Sequence, residues 1–233
     1  MRTALILSTA MITPASDLEA EERIKQFQEG FGQIAELARK HPEIDVFPVD
    51  STFHPDFVLD KRIQKAIDAI PNLQENNFFW DNELGKINKG CGLIIQWRRV
   101  LPKIAARNYK YIIHYEPRQF LVDFSFFERF ANKPANYFKA IPYRVTASTK
   151  AWPIRFGLKI IPVYRNSFWT GLFSLETGMF KDFVESTNVE QLAKKRVSLE
   201  DYMYQKLDKK RISLIDRLGL LWHDSFESKN ENY

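Results

Sequence analysis

Three groups of polar residues in this chain have the types and spacing for chemistry on a phosphorylated ligand. The first is Asn88-Lys89-Gly90-Cys91-Gly92, opening a helical run that carries Arg98, Arg99 and Lys103. Glycine lets backbone approach a ligand, a helix N-terminus presents free N–H groups, and Lys or Arg neutralises phosphate, so this segment reads as a diphosphate seat. It is neither a P-loop, since no Gly-Lys-Ser/Thr follows four residues after a glycine, nor a G-x-G-x-x-G fingerprint. A glycine turn before an exposed basic helix is the plainer alternative. The second group, His114-Tyr115-Glu116-Pro117-Arg118-Gln119, directly follows an apolar β-rich stretch. Polar groups at the carboxyl end of a strand in an open parallel sheet lie where such folds bind ligands. A Glu there holds a metal or a sugar hydroxyl and an Arg pairs with phosphate, although a surface Glu116–Arg118 pair explains the same residues without function.

The third group joins Phe168-Trp169-Thr170-Gly171-Leu172-Phe173-Ser174 to a later Ser198-Leu199-Glu200-Asp201-Tyr202. Ser198 as a helix cap with acids in the first turn accounts for Glu200 and Asp201 structurally. The functional reading makes one of the two carboxylates a general base.

The elements that must position these groups are read from periodicity. Leu5, Ile6 and Leu7 indicate a buried strand at about 3 to 8; Ser16-Asp17-Leu18-Glu19 is a capping box, and Ile24, Phe27, Phe31, Ile34, Leu37 and Ala38 then recur at helical spacing to about residue 40. Residues 44 to 50 are short and β-rich, so the opening is strand, helix, strand, which implies a parallel sheet with a right-handed crossover. A helix over 56 to 70, an ordered polar loop over 72 to 88, a helix from Gly90 to Ile104 that Pro102 should kink or split, and a strand at 111 to 115 follow. Residues 120 to 165 are ambiguous; Phe168 to Ser174 reads as one strand, with helices near 175 to 186 and 198 to 210. The fold expected is an α/β domain with a mostly parallel, Rossmann-like sheet flanked by helices. Strands 3 to 8, 44 to 49 and 111 to 115 should lie side by side. No linker divides residues 1–233, so a single domain is expected: a nucleotide-binding half over 1–118, an acceptor half over 119–224 and a frayed polar tail over 225–233.

Composition narrows the class. With 233 residues, 45% apolar and 27% charged, the chain has ordinary globular values and length for one substantial core. The single cysteine, Cys91, excludes an internal disulfide and a Cys-based metal site, and fits a reducing, cytoplasmic compartment. The N-terminal apolar run is short and interrupted by Ser8, Thr9 and Thr13, so it reads as a strand rather than a signal peptide. No stretch of 18 apolar residues suggests a membrane span, although peripheral contact with the inner face of a membrane fits a basic protein. The net charge of +5 points to an anionic partner, and its distribution is informative: from Lys86 to Tyr115 there are seven Lys or Arg and no Asp or Glu. Aromatics, at 14%, exceed what a core needs and suit a cleft that stacks on rings or sugars.

The order of these parts resembles the GT-A nucleotide-diphospho-sugar glycosyltransferases, and the stretch from Asn88-Lys89-Gly90 to Tyr115-Glu116-Pro117-Arg118 looks like bacterial polysaccharide-synthesis transferases of that superfamily. The resemblance implies sugar transfer from a nucleotide-sugar donor to a hydroxyl of a glycan or lipid-linked acceptor. It implies donor contacts at Ser8, Thr9, Lys89, Gly90, Glu116 and Arg118, acceptor contacts at Trp169, Thr170 and Gly171, and Asp201 or Glu200 as catalytic base. A divalent Mn or Mg would be held at Glu116 and His223. Two departures stand out. The acidic D-x-D motif is absent, which places metal dependence in question, and Leu93 stands where the polysaccharide enzymes tend to have Glu. The alternatives are a basic nucleic-acid-binding protein, which carries no recognised RNA or DNA motif here, and a transferase-like scaffold that binds nucleotide without turnover.

Overall fold

The structure is a computed structural model that describes residues 2–11, 20–145, 163–223 and 230–232. The capping-box segment 16–19 lies outside the described residues. In chain order the elements are β1 (Thr3–Thr9), α1 (Ala20–Lys40), β2 (Ile44–Asp50), α2 (Lys61–Asp68), β3 (Asn77–Phe78), α3 (Glu83–Ile87), α4 (Lys89–Ala105) and β4 (Tyr111–Tyr115). There follow β5 (Phe120–Leu121), α5 (Ser125–Asn132), β6 (Asn136–Phe138), β7 (Ala140–Val145), β8 (Val163–Phe168), β9 (Leu172–Glu176), α6 (Thr177–Ser186), α7 (Val189–Lys195), α8 (Leu199–Lys206), β10 (Ile212–Leu214), β11 (Leu220–His223) and β12 (Asn230–Asn232).

Seven strands form the central sheet in the order β10-β6-β9-β4-β1-β2-β3, mostly parallel, with β9 running antiparallel to both neighbours. Strands β4, β1 and β2 are adjacent and parallel, as the strand-helix-strand opening predicts. Side-chain alternation along β1 divides the core. Leu5 and Leu7 face Phe27, Phe31 and Ile34 of α1 and Phe126, Phe127 and Phe130 of α5. Ala4 and Ile6 face Ile94, Trp97, Val100 and Ile104 of α4 and Phe180 and Val184 of α6. Helices therefore cover both faces, and each fully buried large side chain contributes about 1.5–3 kcal/mol.

Several expected boundaries shift. Helix α4 continues through Pro102 to Ala105 without being split, because Pro102 falls in its last turn while Val100, Leu101 and Ile104 anchor that turn in the core. The strand expected over Phe168 to Ser174 is two, β8 and β9, separated by Trp169-Thr170-Gly171. The polar loop before α4 contains β3 and α3, and the first of the two late helices is followed by α7, which Asn188 caps through Gln191.

Candidate active site

The sheet register creates the site. Thr9 pairs with Asp50 and Leu7 with Tyr115, so β1, β2 and β4 end at one level and release Ser8-Thr9-Ala10, Ser51-Thr52 and Glu116-Pro117-Arg118 at the same edge. Because β9 runs the other way, with Leu172 opposite Tyr115, the turn before it reaches that edge too. The Glu116 N–H donates to the Gly171 carbonyl at 3.0 Å. A cleft of about 620 Å³ opens there, lined by these strand ends, by Arg23 and Phe27 of α1, by Asn82, Gly85 and Lys86 around α3, by the first turns of α4 and α8, and by Thr170.

Of the residues singled out in the sequence, Ser8, Thr9, Lys89, Gly90, Glu116, Arg118, Thr170 and Glu200 line this cleft. Trp169, Gly171 and Asp201 do not. Trp169 donates its indole N–H to Gln119 at 3.2 Å, and a Cβ at Gly171 would overlap that same Gln119 amide, so both residues shape the turn from behind. The Asp201 N–H donates to Ser198 Oγ at 3.1 Å, the capping role that the sequence also allows. His223 lies in β11, and its side chain is outside the described residues. Arg98, Arg99 and Lys103 do not join the seat. Arg98 stands nine residues beyond Lys89 in α4, about 14 Å at 1.5 Å per residue. It donates to the carbonyls of Val184 and Thr187, Arg99 stacks on Phe79, and Lys103 bonds Glu75 and Asn77.

Local interactions hold the lining in place. Asn88 caps α4 by accepting from the Gly90 N–H at 2.9 Å and donates through its amide to the Val197 carbonyl at 2.8 Å, tying α4 to the approach to α8. A Cβ at Gly90 would come within 2.6 Å of Leu199 Cβ, so glycine is what lets the two helix N-termini converge. Their positive ends favour an anion in the cleft. Asp50, wholly buried, accepts from Thr9 Oγ1 and the Met11 N–H at 2.8 Å each, and from the Thr52 N–H and Oγ1 at 2.6 Å each. It thereby locks the loops after β1 and β2 together. Gln96 of α4 donates to the Thr9 carbonyl at 2.7 Å.

The carboxylates differ in their surroundings. Glu116 accepts from Arg118 Nε at 3.2 Å and Nη2 at 3.1 Å and from Gln119 at 3.4 Å, with its side chain only 12% exposed. Glu200 accepts from Thr170 Oγ1 at 2.8 Å. Burial, with the charges of Glu116 and Asp201 adding to it, pushes its carboxyl above the usual range against the opposing hydrogen bonds. His114, wholly buried beneath the turn, donates from Nδ1 to the Thr170 carbonyl at 2.8 Å; burial lowers its pKa from 6.5 to about 4, so it is neutral.

Among the described residues, seven buried side-chain polar atoms have no hydrogen-bond partner, and four of them belong to the cleft: Ser8 Oγ, Arg23 Nε, Arg23 Nη1 and Gln96 Oε1. Buried polar groups are nearly always satisfied, so these four atoms are donors and acceptors that the described protein residues leave for other partners. Arg23, Asp50 and Gln96 were not singled out in the sequence. For Arg23 a signal existed, since Arg23, Phe27, Gly30 and Ile34 fall on one stripe of α1 and an arginine on an apolar stripe is out of place. Described residues supply no cluster of three or more His, Cys, Asp or Glu able to hold a metal ion, and Glu116 is engaged by Arg118. No helix among them is long and apolar enough to cross a membrane.

Fold and cleft together define an open α/β protein with a polar-lined cleft at the carboxyl ends of its parallel strands. No protein-family model matches the chain, and no curated protein matches it in sequence. Solved structures similar to it include a cytidylyltransferase from Leptospira borgpetersenii serovar Hardjo-bovis, with a TM-score of 0.44 and 9% identity over 92% of this chain and 76% of that one. Others are a 4-diphosphocytidyl-2C-methyl-D-erythritol synthase, with 0.43 and 13% over 84% of each chain, and a protein from Thermus thermophilus described as a mannose-1-phosphate geranyltransferase, with 0.42 and 13% over 92% and 74%. At these values nothing about activity carries over.

Proposed function

We propose that this protein is a glycosyltransferase that moves a sugar from a nucleotide-diphosphate donor to a hydroxyl acceptor. The observation that carries this reading is the convergence, in one cleft, of cationic and unsatisfied polar groups with a half-buried carboxylate of raised pKa. The first group suits a nucleotide diphosphate and the second suits proton transfer.

In this mechanism the diphosphate lies against Lys89 and Arg118, at the positive ends of α4 and α8, with Ser8 and Gln96 meeting polar groups of the nucleotide. The acceptor lies beside Thr170, on the turn that Trp169 and Gly171 shape. Its hydroxyl oxygen bonds to the anomeric carbon as the bond from that carbon to the diphosphate oxygen breaks. Glu200 takes the hydroxyl proton, and the nucleoside diphosphate leaves with its charge stabilised by the cations. Thr170, bonded to Glu200, orients the carboxylate. Asp201 remains a first-turn residue of α8. No step passes through a metal.

Melting temperatures with UDP-, GDP-, TDP- and CMP-sugars test the binding half. A rise with at least one of them, and release of the corresponding nucleotide on adding acceptor glycans, is the expected result. Binding without release would leave a nucleotide-binding scaffold, and a melting response to nucleic acid alone would replace the reading altogether.

A further inference from the structure

The cleft holds a cation that the mechanism above does not use. Arg23 projects from α1 into the lining, and among the described residues its Nη2 donates to the Ala10 carbonyl at 3.1 Å while Nε and Nη1, both buried, find no acceptor. Its guanidinium lies in the field of Arg118, and burial first, then that charge, pull its pKa down, with Asp50 opposing. Among the described residues Arg118 already has Glu116 as its partner, whereas Arg23 has only the Ala10 carbonyl, so an anion in the cleft gains most by meeting Arg23. Both arginines line the same cleft, and α1 packs on the segment that carries Arg118. A Cβ at Gly30 would overlap the Pro117 carbonyl, so α1 is pressed against the segment that carries Arg118. Arg23 lies two turns before Gly30, on the same face of α1. Arg118 meanwhile spends Nε and Nη2 on Glu116, which orients its planar fork and leaves Nη1 outside that pair.

We propose that Arg23 and Arg118 together form a diphosphate clamp that neutralises the ligand's charge without a divalent cation. Glu116, at the position where the resemblance would put a metal ligand, serves instead to set the orientation of Arg118. Guanidinium forks match paired phosphate oxygens in a way that a single Lys does not. The proposal rests on the reading of this cleft as the donor site, but its test does not need sugar transfer.

Inorganic pyrophosphate is titrated into the full chain by calorimetry in EDTA, alongside Arg23→Gln, Arg23→Lys and Arg118→Gln variants whose circular dichroism shows them folded. Wild type is expected to bind equally in EDTA and in Mg. Arg23→Gln should weaken binding at least tenfold, and Arg23→Lys, which keeps charge but loses the fork, by a smaller factor. Unliganded Arg23→Gln should melt no lower than wild type, because it removes a desolvated, repelled charge. Unchanged pyrophosphate affinity in Arg23→Gln, or wild-type binding that EDTA abolishes, would overturn the clamp. Pyrophosphate binding with these dependences but no response to any nucleotide sugar would keep the clamp and remove the glycosyltransferase reading.

Discussion

His114 links acid stability to the geometry of the site. It lies wholly buried, donates from Nδ1 to the Thr170 carbonyl, and packs its ring between Trp97 and Phe173, with centroids 5.0 and 5.1 Å away. Burial holds its pKa at about 4 against 6.5 for the ordinary side chain, the nearby Glu116 charge opposing in part. A histidine depressed in the fold contributes stability that is fully present above 6.5 and is lost as pH falls through 4, because the unfolded chain takes up the proton first. At about 1.36 kcal/mol per pH unit, this one side chain should remove about 3 kcal/mol of stability between pH 7 and pH 4. His114→Asn cannot titrate but keeps an N–H donor near the Nδ1 position. Urea unfolding of both proteins at pH 7, 6, 5 and 4 is the assay. Asp50 and Glu200, whose raised carboxyls contribute stability below their unfolded pKa values that is lost as pH rises through the folded ones, titrate alike in both proteins and cancel in the difference. The wild type should therefore lose about 3 kcal/mol more than the variant on acidification, although the variant starts lower at pH 7 through lost packing. Parallel pH curves would refute the reasoning.

Glu200→Gln should lower kcat by about 100- to 10,000-fold with little change in donor affinity, whereas Asp201→Asn, outside the cleft lining, should stay near wild type. Equal losses in both, measured by nucleotide release, would return the base to an open choice. Lys89→Ala should weaken nucleotide binding by about 1–3 kcal/mol in calorimetry, the range for a lost charge-assisted hydrogen bond. Gly30→Ala forces a methyl into the Pro117 carbonyl and should cost about 1–3 kcal/mol in urea unfolding while also weakening pyrophosphate binding by moving α1 from Arg118. Wild-type values for both would show that the contact is relaxed.

Much of the framework was legible because local chemistry and tertiary demand agree there. The apolar runs of β1, β2 and β4, and the 3.6-residue stripe of α1, satisfy both strand or helix preference and burial. The interruption at Trp169-Thr170-Gly171 was hidden, since Phe168 and Leu172-Phe173 look continuous in composition. Only their partners separate them, β8 pairing with β7 and β9 with β4 and β6. That Lys89, Arg118 and Glu200 would line one cleft could be anticipated, because each stands next to an element boundary. Asp50 and Gln96 could not be anticipated, for their roles depend on which loops the parallel register brings together. Arg98 illustrates the converse. Its charge pattern resembled a phosphate ligand, yet a position more than two turns into α4 commits it to the carbonyls at the end of α6.

The two proposals meet at Glu200. A bound diphosphate brings negative charge toward a carboxyl that burial and its acidic neighbours already hold above the usual range. Uncompensated, that charge would push the carboxyl further in the same direction and oppose its ionisation. A clamp of Arg23 and Arg118 cancels much of the field, so it serves proton transfer as well as binding. Removing one of the two positive charges should leave more of the diphosphate's field acting on the carboxyl. With the donor saturating, kcat should rise with pH as Glu200 ionises, and in Arg23→Gln that rise should move to higher pH. Glu200→Gln should lack the rise altogether. An acid limb that stays in place in Arg23→Gln would separate the clamp from the chemistry, and would mean that Arg23 acts on binding alone.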